Sequence, residues 1–181
     1  MKELKKRFYK VIISLALASC LFLGNLQYVF AEEIDVRQEY LNKKTAGVEV
    51  YEITKENGDF MGYYEPCPDE ETNIYARLGV SFSIGNWTIP ASTTGWEKRK
   101  HSLLKGDKIN VNITQIQYGA GYSSYLALRD ADDGTVGVVN SSLTTNGWKN
   151  GVITVGYSGH FNFGIKNTST HSITYTGNYW Y

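Results

Sequence analysis

Strict alternation of apolar and polar side chains runs through the chain from Ile74 to its end. Leu78, Val80, Phe82 and Ile84 alternate with Arg77, Gly79, Ser81 and Ser83. Ile109, Val111 and Ile113 alternate with Lys108, Asn110, Asn112 and Thr114. Phe161, Phe163 and Ile165 do the same with Asn162, Gly164 and Lys166, and Ile173, Tyr175 and Tyr179 with Thr174, Thr176 and Asn178. Successive side chains of a strand point to opposite faces, so each run predicts a strand with one side in a core and the other toward solvent. Further strands are expected at 125–129, 135–140 and 151–157, with a shorter one near 101–104.

Turn residues fall between the apolar runs. Lys105-Gly106-Asp107, Asp133-Gly134, Asn146-Gly147, Asn150-Gly151 and Ser158-Gly159 all sit where a strand must end. Roughly eight strands at this spacing, with no convincing helix among them, predict an all-β fold: an antiparallel β-sandwich or jelly roll over 74–181. Upstream, 32–73 reads as an acidic segment. It carries a weak helical pattern over 34–42, a strand around Val48, Val50 and Ile53, and a hairpin at Asn57-Gly58 returning through 59–64. The pattern does not say whether this hairpin joins the main sheet.

The first 31 residues break the pattern. Lys2, Lys5, Lys6, Arg7 and Lys10 precede an apolar run from Val11 to Gly24, and Val29-Phe30-Ala31 places small residues at a cleavage site. That order is a secretory signal peptide rather than part of a fold, in the style of a Gram-positive bacterium, and it predicts a secreted, extracellular protein. Leu17-Ala18-Ser19-Cys20 also fits a lipoprotein box, which would leave the chain lipid-anchored at Cys20. The apolar residues following Cys20 argue against a polar tether. An uncleaved anchor is disfavoured by Asn25 and Gln27 in a short span.

The formal net charge of +0 conceals an asymmetry. Residues 32–73 hold 12 acids against 4 bases, a net of −8, and residues 74–181 hold 5 acids against 9 bases, a net of +4. The positive part is too diffuse to point to nucleic acid, since Lys98-Arg99-Lys100 is its only cluster and a solvated loop accounts for it. With Cys20 in the leader, Cys67 is the sole remaining thiol, in Glu65-Pro66-Cys67-Pro68-Asp69. It is an incidental surface thiol or the site of an intermolecular disulfide giving a dimer; the neighbouring carboxylates disfavour a reactive thiolate.

Candidate chemistry is sparse. Trp96, Tyr118, Tyr122 and Trp148 fall in expected loops, and flat rings on loops can stack on sugar faces. Tryptophans that plug the ends of the core are the plainer account. The polar strand face is rich in Ser, Thr and Asn, which hydrogen-bond sugars but are also ordinary strand residues. Asp130, Asp132 and Asp133 could wrap a calcium ion, but they lack the later Gly and distal Glu of a helix-flanked loop, and a polar hairpin tip is the plainer account. Gly156-Tyr157-Ser158-Gly159-His160 is only superficially a nucleophile elbow, and His101, His160 and His171 lack the spacing of zinc ligands. The β-domain strands are almost free of acids, which disfavours paired-carboxylate hydrolysis. The four Asn-X-Ser/Thr sequons carry no function in a bacterial chain.

No catalytic residue, metal ligand or cofactor is therefore expected. The reading that follows is a secreted non-enzymatic binding module for an extracellular glycan or protein. The alternatives are a membrane-active toxin, suggested by amphipathic strands and the Tyr179-Trp180-Tyr181 end, and a secreted hydrolase.

Overall fold

The computed structural model describes residues 35–67, 81–117, 119–142 and 148–181, with side chains excluded for 140–142, 148 and 149. The expected leader with Cys20, the strand start at Leu78 and Val80, Tyr118, and the Asn146-Gly147 turn lie outside the described residues. Helix α1 (Val36–Thr45) is followed by strands β1 (Tyr51–Lys55), β2 (Phe60–Pro66), β3 (Ser81–Ser83), β4 (Trp87–Ile89), β5 (Thr94–Trp96) and β6 (His101–Leu103). Then come β7 (Lys108–Gln115), β8 (Ser124–Asp130), β9 (Val136–Ser142), β10 (Trp148–Val155), β11 (Gly159–Asn167) and β12 (Ile173–Trp180).

The fold is all-β and antiparallel, as the alternation predicts. All twelve strands belong to one sheet, in the order β3-β12-β7-β10-β2-β1-β9-β8-β11-β5, with β4 also on β12 and β6 also on β11. The reason for one continuous sheet is the β1–β2 hairpin. β2 pairs with β10 on one side while β1 pairs with β9 on the other, so the acidic hairpin lies at the centre and bridges the two halves. Gly62 makes that passage feasible: at φ 149° it occupies backbone space that a side chain would contest, since a Cβ there would stand 2.2 Å from the Thr154 carbonyl oxygen.

The sheet curls until its two ends meet across the core. Phe163 of β11 stacks on Tyr179 of β12 at 5.1 Å, and Phe82 of β3 meets His101 of β6 at 5.2 Å. A Cβ added to Gly95 on β5 would lie 2.6 Å from the Trp87 ring of β4. Side chains close this seam. At one end His101 Nε2 lies 3.0 Å from the Tyr179 hydroxyl, both residues being buried. At the other, Asn167 donates from Nδ2 to the carbonyls of His171 (2.8 Å), Pro90 (3.0 Å) and Ile89 (3.1 Å).

The interior is built by the predicted apolar positions: Ile109, Val111, Ile113, Phe161, Phe163, Ile165, Ile173, Tyr175 and Tyr179 are all buried, joined by Ile53, Leu126, Leu128 and Ile153. Burying one such side chain stabilises the fold by about 1.5–3 kcal/mol relative to exposure. Outside this core, α1 starts where the Asp35 carboxylate accepts from the amides of Arg37 and Gln38 at 3.1 and 3.2 Å. It lays Val36 and Tyr40 on Tyr63 of β2 as a second small cluster, flanked by the Lys43–Glu65 ion pair.

Candidate ligand-binding face

Register decides which residues share the outer face of the β1-β9-β8-β11-β5 half. Ile53 is buried in the core, so Glu52 and Thr54 point away from it. Thr54 pairs with Val138, Val138 with Ala127, Ala127 with Gly164, and Gly164 with Trp96, giving one cross-strand row on that face. The adjacent row contains Thr94, Lys166 and Tyr125. The middle of the first row is low because it holds only Gly and Ala. Trp96 fills the space above Gly164: a Cβ at Gly164 would stand 2.3 Å from its Cε3.

Two ladders lose register at this height. The β1–β2 pairing shifts between Ile53 and Thr54, and the β8–β9 pairing between Tyr125 and Ala127. Bulges of this kind increase local twist and redirect side chains. Beside them opens a depression of about 370 Å³, lined by Glu52, Thr54, Tyr125, Val138, Lys166 and Thr168. A second depression of about 560 Å³ lies between 119–123 and Thr168–Thr170, with Tyr122 in its wall. Thr168 borders both, and the pair, here termed a track, runs along the exit of β11. Each lies within the roughly 300–1,000 Å³ range of small-ligand sites. The track offers hydroxyls, one ring edge or face at each of Tyr125 and Tyr122, and a single cation and single carboxylate. Neither Lys166 nor Glu52 makes an ion pair among the described residues.

The aromatic residues singled out from sequence separate into different settings. Tyr122 is half-buried in the β7–β8 loop, its ring 5.5 Å from that of His171. Trp96 lies on β5 rather than in a loop, on the same face as Tyr125. Trp148 begins β10, paired with Thr114, and its side chain is not described; Tyr118 lies outside the described residues. Tyr125, Lys166, Glu52 and Thr54 were not singled out from sequence. Their signal was the polar phase of alternation, which every strand shares.

The other candidates resolve into local structure. Asp130 accepts from the Tyr157 hydroxyl at 2.8 Å and from the Asp132 amide at 2.9 Å. Asp132 faces His160 Nδ1 at 3.0 Å, and this partnership lowers its pKa. Asp133 accepts from the Thr135 amide at 2.8 Å and from Lys55 at 3.2 Å. The three carboxylates thus turn to three different partners, and no cluster of metal-ligating side chains occurs among the described residues. Burial and the Asp130 carboxylate push the Tyr157 hydroxyl upward. His101, His160 and His171 lie in the seam, beside Asp132 and beside Tyr122, respectively. Ser158 occupies the β10–β11 turn, its Oγ accepting from the Lys105 amide at 2.9 Å. Cys67 follows β2 in a half-buried position, its amide donating to the Asn150 carbonyl at 2.9 Å.

Tyr179 and Trp180, two of the three rings at the aromatic end, are buried. Against known proteins, the chain matches no family model and no curated relative.

Proposed function

We propose that this protein is a non-catalytic module that binds an extracellular saccharide along the outer face of β1, β9, β8 and β11. The observation that carries the reading is the track joined at Thr168, with Tyr125 on one depression and Tyr122 on the other. A sugar presents an apolar ring face and a rim of hydroxyls. An aromatic ring flanked by Thr hydroxyls suits both at once, with ring contact contributing about 0.5–1.5 kcal/mol. An open sheet face accommodates a chain rather than an enclosed small molecule. The toxin alternative loses support because Tyr179 and Trp180 are buried and offer no rings to a bilayer.

Affinity electrophoresis against a panel of soluble bacterial and plant polysaccharides tests the reading. A retarded wild type is expected, with Tyr125→Ala weakening retention about tenfold, equivalent to about 1.4 kcal/mol. Equal retention of wild type and a Tyr122→Ala/Tyr125→Ala variant across the panel would refute it.

A further inference from the structure

We infer that the saccharide taken by this face is anionic, its acidic groups held by Lys166 and Arg129; the inference rests on the saccharide reading above. Lys166 is exposed in the groove, directly across from Tyr125 in the β11–β8 ladder. Arg129 lies on the same strand as Tyr125, four residues on and therefore on the same face, about 13 Å away. Its Nε is buried and has no hydrogen-bond partner. The residue as a whole is half-buried and makes no ion pair among the described residues, and carboxylates or phosphates match its planar fork.

The cationic character continues past Arg129. Its ladder neighbour Asn162 donates from Nδ2 to the carbonyls of Arg99 (2.7 Å) and Glu97 (3.3 Å). That holds the 97–100 connection at this end of β11 and brings exposed Lys98 with it. The Lys166, Arg129 and Lys98 positions thus follow β11 from the groove toward the β5–β6 connection. Opposing charge is limited. Glu52 stands on the far wall of the groove, Glu97 is half-buried, Asp133 is engaged by Lys55, and Asp132 is engaged by His160. A neutral chain would leave the Lys166 and Arg129 charges without a counter-charge.

The test uses the protein in calorimetric titration with four probes: a galacturonate oligomer, its carboxyl-reduced neutral counterpart, a phosphodiester-linked hexose polymer and duplex DNA. At least one of the two anionic chains is expected to bind about tenfold more tightly than the neutral oligomer, with affinity falling as salt is raised. The galacturonate and phosphate arms distinguish a carboxylate from a phosphodiester source. Lys166→Gln and Lys98→Gln, both at exposed positions, should each reduce that preference several-fold with no change in melting temperature. Binding of both anionic chains no tighter than that of the reduced oligomer overturns the charge inference while leaving the saccharide reading standing. Failure of both anionic chains to bind overturns it as well. So does DNA binding with the same Lys166 dependence, which would mark plain polyanion attraction.

Discussion

Asn167 shows how much one side chain can carry. It is 1% exposed, and its amide donates to three carbonyls drawn from β4, the β4–β5 turn and the β11–β12 turn. Its Oδ1 accepts from the amide and hydroxyl of Ser169 at 2.9 and 2.7 Å. As the first residue of a sequon it had no assigned role in the sequence, and only the fold reveals it as a clamp. Asn167→Asp keeps the shape and the acceptor but replaces the donor by a carboxylate facing carbonyls. The expected loss is about 3 kcal/mol of stability, read from urea unfolding. A loss under about 0.5 kcal/mol would show that the clamp is dispensable.

His101 is the second residue of consequence. Its Nδ1 is buried with no hydrogen-bond partner, and burial lowers its pKa from 6.5, with Glu97 raising it and Arg99 lowering it in turn. The groups packed around it are Phe82, Tyr179 and Tyr181, with the Arg99 guanidinium over the Phe82 ring. A base whose folded pKa is depressed binds its proton first in the unfolded chain. Its contribution to stability is therefore complete above about pH 6.5 and declines as pH falls through the unfolded pKa toward the folded one. Melting temperatures at pH 7.5 and 5 should show this decline, and His101→Gln should flatten it. An unchanged slope in the variant would place the pH sensitivity elsewhere.

Among the elements, the long strands were legible, as were the short β3 and β6, but β4 and β5 were not. The alternation at 109–113 and 161–165 corresponds to β7 and β11 because those strands bury one face along their full length. The helical pattern at 34–42 corresponds to Val36–Thr45, displaced because the Asp35 cap sets the start. β4 and β5 have three residues each, too few for a period to register. β5 owes its position to its contact with Gly164, where the Trp96 ring takes the place of a side chain. Gly164→Val should displace Trp96 and release β5 from β11. Amide exchange at Gly95 and Trp96 should then accelerate at least tenfold, with the β7–β10 ladder unaffected. Retained protection at those amides would mean that the ring is not what seats the strand.

Across the whole molecule, the candidate track was hidden in the sequence for a physical reason. Glu52, Tyr125, Val138 and Lys166 come from four strands, and only long-range pairing places them together. Alternation marks each as outward-facing, but it cannot say which outward faces adjoin. The expected loop aromatics were easier to see because tryptophan and tyrosine stand out in any sequence, and of these Tyr122 and Trp96 do border the track or its face. Likewise, the hairpin at Asn57-Gly58 was legible from its turn, whereas its place at the sheet's centre depends on β9 and β10, far along the chain.

That central hairpin also sets a timetable. Residues 51–66 leave the ribosome long before 136–155, which supply the neighbours on both of their sides. Until then the hairpin has two open edges and only α1 against one of its faces, so the native architecture waits for nearly the entire polypeptide. A chain organised in this way can complete its sheet only after the strands from its C-terminal half have been made.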